Sequence, residues 1–558
     1  MLTTCYQFSL NRRSSKADSL RGMAHDNTVV RVKQGQLRGV IEENHYGDRY
    51  LSFRGIPYAK PPVGPLRFKD PEPIEPWTGV KDALEFGNYC SQKDMLTHDF
   101  VGNDDCLYLN VYKPLKPTST KMSVMVWIHG GAFMMGSGSD EYYGPVYFMR
   151  KDVILVTINY RLGVLGFLNL EHEVAPGNQG LKDQVMALKW VQENISSFGG
   201  DPNNVTIFGE SAGASSVHYL TLSPLAHGLF HRAIMQSGVA LNPWSIISEK
   251  PSKYGFDLAA KLGETSTDPE TVVEFLRTID AKKLVDTETK LLTPKERYAT
   301  FGLFAPGVDD KSPNPFMPQH PAVRAKAGIQ VPLLIGFNSN EGNMLLNIFR
   351  GTNSAESIRD VNENFELVIP EETKIYLNKE GISSSEVKRL YLGEDAISEK
   401  TAHKYADYLG DVMFLQGIHE VVDIQMATGS HSTYFYKFTY DPEQSLMKMA
   451  FNITLPGATH AEELQYLFYA NIAKKMGIEP FEVGSEMYRM MEYFTQMWTD
   501  FAKTGNPTPK ITELIPTIWQ PVVRGDKYIY MNINKTLNME SCSKEGQRFD
   551  WKKIKNKL

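Results

Sequence analysis

The spacing of apolar residues changes period along this chain, and the changes outline a fold. From Ser123 to Gly238, short apolar runs alternate with stretches of helical spacing. Val124–Ile128, Val153–Tyr160, Val205–Gly209 and Ala233–Ser237 have strand length and are largely apolar, as strands covered on both faces must be. Gly180–Phe198 instead places Leu181, Val185, Leu188, Val191 and Ile195 on one helical stripe, and Ala212–Leu222 reads as a second helix. Strands alternating with helices predict an α/β protein with a mostly parallel central sheet and helices on both faces. Further strands are expected at Val331–Phe337 and Thr433–Phe438. A long helix is expected over Gly484–Thr504, stopped by Gly505-Asn506-Pro507. Residues 250–330 and 340–430 carry helix-type patterning and more charge, and read as helical insertions around the sheet. The stretch 28–70, with Gly35 in a hairpin, reads as β structure.

These patterns place one domain at 28–540, between a disordered leader or targeting segment at 1–27 and a basic tail at 541–558. The first 22 residues carry Arg12, Arg13, Lys16 and Arg21 against Asp18, without the continuous apolar core of a secretory signal. The expectation is an intracellular, cytoplasmic protein, with a mitochondrial presequence as the alternative. The four N-x-[ST] sequons, at Asn194, Asn204, Asn452 and Asn534, are then expected to be unused. The chain has 59 basic and 65 acidic residues, a net charge of −6. A mildly acidic chain is a poor match for nucleic acid. No apolar run approaches the ~18 residues of a membrane helix. The cysteines are Cys5, Cys90, Cys106 and Cys542, with no C-x-x-C pair, so no zinc site is expected. A bond between Cys90 and Cys106 would stabilise by roughly 3 kcal/mol, and would persist only outside a reducing compartment.

The chemistry concentrates at the joint between strand 205–209 and the helix after it, where FGESAGASS (208–216) has no bulky apolar side chain after its first residue. Gly209-Glu210-Ser211-Ala212-Gly213 fits G-x-S-x-G. A sharp strand-to-helix turn lifts the hydroxyl of Ser211 above the sheet, and glycines flank it where any Cβ would strike a neighbour. A serine hydroxyl needs a base to take its proton. His460, in Gly457-Ala458-Thr459-His460-Ala461-Glu462, follows strand 433–438 by a long loop, where such a base belongs. His218, His227 and His231 come too soon after the turn, and His320, His403, His419 and His431 sit in polar or helical surroundings. Glu341 stands at the carboxyl end of strand 331–337; position alone leaves it open between an ordinary turn acid and the carboxylate that orients the imidazole. His129-Gly130-Gly131-Ala132-Phe133 follows strand 124–128 and supplies a glycine-rich backbone loop. The N–H groups of Gly131, Ala132 and Ala212 are assigned to an oxyanion, each donor worth roughly 3 kcal/mol in the barrier. Glu210 is expected to add negative potential that favours protonated His460.

With these stretches on view, the chain resembles the type-B carboxylesterase/cholinesterase family, and among its members the insect alpha-esterases. The resemblance runs over nearly all of residues 28–530. It rests on Phe53-Arg54-Gly55-Ile56-Pro57-Tyr58-Ala59, Pro61-Pro62-Val63-Gly64, Asp104-Asp105-Cys106-Leu107-Tyr108-Leu109-Asn110-Val111, HGGAF at 129–133, Asn159-Tyr160-Arg161-Leu162-Gly163, Gly177–Gln184 and FGESAG. It implies an α/β-hydrolase fold and a Ser–Glu–His triad at Ser211, Glu341 in GFNSNEG and His460 in GATHAEEL. It implies a disulfide between Cys90 and Cys106, and hydrolysis of small to medium carboxylic esters through an acyl-enzyme, without metal or cofactor. An organophosphate would then phosphorylate Ser211, and detoxification of xenobiotic or dietary esters fits the resemblance.

Three departures sharpen the reading. Ala132 replaces the third glycine of the oxyanion loop, and its methyl group is expected to require a negative φ. Asp104 replaces the usual Glu, so a structural ion pair is expected to shift. Residues 91–105 lack the Trp with which cholinesterases hold quaternary ammonium, which disfavours choline esters. Alternatives are a juvenile-hormone-type esterase, which typically has Gln where Glu210 stands, and a lipid esterase with an interfacial lid. A rival of another class is a non-catalytic adhesion member of the family; such members usually lose the nucleophile, which this chain keeps.

Overall fold

The computed structural model describes residues 28–116, 120–247, 250–348, 355–545, 547–549 and 551. The expected leader, 1–27, lies outside the described residues. Among the described residues, eleven strands form one sheet: β1 (Val40–Glu43), β2 (Arg49–Pro57), β3 (Tyr108–Pro114), β4 (Met122–Ile128), β5 (Val153–Ile158), β6 (Gly200–Glu210), β7 (Arg232–Gln236), β8 (Leu333–Asn338), β9 (Thr433–Phe438), β10 (Lys527–Ile533) and β11 (Leu537–Ser543). Their spatial order is β11-β10-β9-β8-β7-β6-β4-β5-β3-β2-β1. The run from β5 to β10 is parallel, and antiparallel strands close both edges. This is the expected α/β class. The hairpin at Gly35 joins Val29–Val32 to Gly35–Arg38 in a small side sheet that also holds Val80–Asp82.

Side chains alternate across a strand, so each strand feeds two cores. Val124, Val126 and Ile128 of β4 pack with helices α1 (Gln179–Asn194) and α2 (Ala212–Leu222). Met125 and Trp127 of the same strand face the opposite layer, with Phe494, Trp498 and Phe501 of the long helix. Three later helices matter below: α3 (Gln416–Thr428), α4 (Leu446–Phe451) and α5 (Glu486–Thr504). Both faces of the middle strands are dry, which explains their near-continuous apolar runs.

The boundary drawn at 540 does not match the chain's packing. Residues 541–543 belong to β11, Trp551 is buried, and the Phe549 ring lies 4.2 Å from that of His419 on α3. The basic residues of this stretch hide its apolar anchors in a composition count. β10 and β11 also escape the sequence reading, because their outer positions are polar, and β3 escapes it with the buried polar Asn110 between Leu109 and Val111.

One buried ion pair ties the loop after β5 to α1. Asp183 accepts from Arg161 Nε at 2.8 Å and Nη2 at 2.7 Å, and both side chains are out of solvent. Replacing Asp183 with Ala strands the guanidinium in the interior. Expected is a loss of about 3–5 kcal/mol, measured as a lower urea midpoint with an unchanged slope; a loss under ~1 kcal/mol would contradict the assignment.

Candidate active site

β6 delivers Phe208, Gly209 and Glu210 to the joint, and α2 begins immediately after Ser211. Ser211 takes φ 57° and ψ −124°, a conformation L-residues avoid. The neighbouring backbone accounts for the glycines. A Cβ on Gly209 would stand 2.6 Å from the carbonyl oxygen of Ile128, and one on Gly213 would strike the same atom. The turn therefore lies directly against the end of β4, and half-buried Ser211 opens onto a cavity.

His460 lines the same cavity. Its Nδ1 lies 2.6 Å from Oε2 of Glu341, across 119 residues of sequence. The other oxygen of Glu341 accepts from the Ser237 hydroxyl at 2.6 Å and the Asn338 N–H at 2.7 Å. Three donors thus converge on one buried carboxylate, which holds the imidazole with its proton on Nδ1 when neutral. The Phe414 ring packs on the imidazole, with centroids 4.4 Å apart. Nε2 of His460 lies 3.0 Å from Oε1 of Glu210, close enough for an ion pair but without the direction of a hydrogen bond. Among the described residues no hydrogen bond joins His460 to Ser211. The structure brings Ser211, His460, Glu341 and Glu210 to one place, and adds the direct His460–Glu210 contact.

Burial alone would push the imidazole of His460 down, but the charges of Glu210 and Glu341, with the hydrogen bond to Glu341, hold it well above its ordinary value. Burial pushes the Glu210 carboxyl up, against the pull of His460. A base must be neutral to work, so activity rises as pH climbs through the His460 value. Replacing Glu210 with Gln removes one of the two charges that stabilise the imidazolium. Expected are an acid limb of kcat/KM displaced to lower pH and a kcat lowered by roughly tenfold, equivalent to about 1.4 kcal/mol of barrier. An unmoved limb with unchanged kcat would reduce Glu210 to a packing role.

The loop after β4 curls through Gly131 (φ 102°), Ala132 (φ 54°) and Phe133 (φ 62°). Ala132 is therefore left-handed, contrary to the negative φ expected for it. Two successive left-handed L-residues cost about 1–2 kcal/mol each, and the curl is what brings the loop beside Ser211. Among the described residues, the N–H groups of Gly131 and Ala132 donate to no protein acceptor. The N–H of Ala212 is the first of α2 and has no carbonyl a turn earlier. Gly131 and Ala132 line the cavity with Ser211, and Ala212 is buried directly behind it.

The cavity measures about 550 Å³. Five methionines, Met95, Met134, Met135, Met344 and Met447, form much of its wall, with Trp244, Phe301, Phe414 and Phe468. Cys90 and Cys106 are joined in a disulfide, and the loop between them contributes Met95, Leu96 and His98 to the wall. The Asp104 expected to shift an ion pair keeps one, with Arg67 Nε at 2.9 Å, and also accepts from Ser91.

Sequence reasoning passed over three polar residues around this centre: Ser237, Asn338 and Glu463. Glu463 accepts from Gln236 at 2.9 Å and Asn338 at 2.6 Å, and burial together with nearby Glu210 pushes its carboxyl up to about 7. The signal was the pair of acids following His460 at the start of a segment otherwise headed into the core.

Residues 26–550 match the Carboxylesterase family. The chain belongs to this family. Juvenile hormone esterase of Tribolium castaneum is 39% identical over 511 residues, covering 86% of this chain and 84% of that protein. Esterase FE4 of Myzus persicae is 34% identical, covering 93% of this chain and 91% of its own length. Among solved structures, juvenile hormone esterase from Manduca sexta with OTFP covalently attached superposes with a TM-score of 0.83 at 30% identity, covering 95% of this chain and 99% of that one. This carboxylesterase is thus an enzyme of ester hydrolysis on an α/β-hydrolase fold. Among its described residues no helix is long and apolar enough to cross a membrane.

Proposed function

We propose that this carboxylesterase cleaves neutral, apolar carboxylic esters through an acyl-enzyme on Ser211. The observation that carries the reading is the imidazole of His460, fixed by Glu341 through Nδ1 and lining, beside Glu210, the same cavity onto which Ser211 opens. His460 takes the hydroxyl proton as Ser211 attacks the carbonyl carbon, and Glu341 stabilises the imidazolium. The N–H groups of Gly131, Ala132 and Ala212 receive the oxyanion. His460 then protonates the leaving alcohol, and water repeats the sequence on the acyl-enzyme. Apart from Glu210 and His460, the wall offers His98 and, among the described residues, no Lys or Arg, so it gives a charged substrate little to hold. Detoxification of xenobiotic or dietary esters fits such a site. A second reading, hydrolysis of juvenile hormone, is favoured by the two juvenile hormone esterases among the similar proteins. Glu210, where Gln is typical of that group, weighs against it. The Cys90–Cys106 bond favours an oxidising compartment over the cytoplasm.

A phosphoryl ester tests the nucleophile directly. Ser211 Oγ forms a bond to phosphorus of diethyl p-nitrophenyl phosphate, and p-nitrophenolate leaves. Expected is about one p-nitrophenolate released per chain, a diethylphosphoryl group on the peptide bearing Ser211, and parallel loss of p-nitrophenyl butyrate hydrolysis. A label on any other residue with the same loss of activity would overturn the assignment.

A further inference from the structure

Behind one wall of the catalytic cavity lies a second, smaller chamber of about 50 Å³. The two share Leu446, Gln465, Phe468 and Ala470, so they are neighbours across a single layer of side chains. The small chamber is lined beyond that layer by Met449, Ile478 and Met487 and by the stacked rings of Tyr147 and Phe481, 5.7 Å apart. It holds only a few water-sized groups, and its lining is mostly apolar, with Gln444, Gln465 and Glu479 as its polar members.

The partition is α4. Its Leu446 and Met447 face the catalytic cavity, and Leu446 and Met449 face the chamber behind. None of its side chains is buried, which is unusual for a helix that walls a substrate cavity. Its N-terminal end is held by a polar bracket. Ser445 donates to Glu462 at 2.7 Å and accepts the Lys448 N–H at 2.9 Å. Gln465 donates to the other oxygen of Glu462 at 2.8 Å and accepts the Leu446 N–H at 3.3 Å. The bracket ties α4 to the segment that follows His460, so the partition keeps its place relative to the reacting atoms. The apolar half of α4 rests on soft neighbours, since methionine side chains adapt to what they touch.

We propose that α4, through Leu446, sets the chain-length selectivity of this enzyme. The substrate class is an ester with one long, unbranched apolar chain, whose end lodges against Leu446 at the entrance of the second chamber. This rests on the acyl-enzyme reading above. A straight chain is the shape that can pass from the large cavity into so small a chamber. A bulky branched or ring-bearing group fits the large cavity and stops at the partition.

The test uses the full-length enzyme with two probe series, p-nitrophenyl alkanoates and n-alkyl butyrates, comparing the twelve-carbon member with the four-carbon member. Expected for Leu446→Ala is a rise of about tenfold or more in the C12-to-C4 ratio of kcat/KM in one of the series, the lower end of what a methylene-sized change in an apolar pocket produces. Met487 lines the second chamber and not the catalytic cavity. Adding Met487→Trp to Leu446→Ala refills the chamber from behind and returns the ratio to within about twofold of the wild type. A ratio unmoved in both series by Leu446→Ala, or a raised ratio that survives the added Trp, would overturn the proposal. Absence of C4 hydrolysis by the wild-type enzyme would instead strike the ester reading on which it stands.

Discussion

Replacing Ser211 with Ala lowers kcat toward esters by about 10⁶-fold, the order seen when the nucleophile of a serine hydrolase is removed. The physical reason is that no other hydroxyl shares the turn between β6 and α2. The backbone donors of Gly131, Ala132 and Ala212 are left in place, so a residual rate above that of water remains. The substitution does not disturb the fold. Alanine at φ 57° carries the same left-handed strain as serine, and among the described residues the hydroxyl bonds to no neighbour. Stability is expected to stay within about 0.5 kcal/mol. Steady-state kinetics with p-nitrophenyl butyrate, beside thermal denaturation, checks both halves. Retention of more than about 1% of kcat by a folded variant would show another residue attacking.

Glu341→Gln has the next largest effect, about 10⁴-fold in kcat, the loss known for the equivalent amide substitution in a serine protease triad. The surroundings dictate how the amide settles. The Asn338 N–H and Ser237 hydroxyl both donate to Oε1 of Glu341, so the oxygen of the introduced amide takes that position. Its NH₂ group then points at Nδ1 of His460, which must accept. The imidazole proton moves to Nε2, and the nitrogen that should receive the serine proton already carries one. KM is expected to change little, because Glu341 does not touch bound ester. A folded Gln variant within about tenfold of wild type would remove Glu341 from the proton relay.

What the sequence disclosed, and what it hid, follows from how far each feature reaches along the chain. The parallel strands from β4 to β9 were legible because burial on both faces makes their runs apolar without interruption. The turn at Ser211 was legible because backbone crowding from β4 demands small residues at fixed spacing. Glu341 stood open on position alone, since nothing local says that a turn acid will meet a histidine 119 residues later. Ser237 was invisible for the same reason: it is one serine among many until β7 and β8 are laid side by side. The handedness of Ala132 was misjudged because local preference opposes it, and the surrounding loop overrules that preference. The cavity wall was beyond reach, as its residues come from loops and short helices scattered between Met95 and Ala470 that only the folded sheet assembles.

The methionine-rich wall has a chemical consequence of its own. Hydrogen peroxide converts a thioether into a polar, chiral sulfoxide, and five methionines line the cavity onto which Ser211 opens. An oxidant can therefore alter which molecules this protein accepts while leaving every atom of its proton relay untouched, and reductases specific for methionine sulfoxide would restore the original preference.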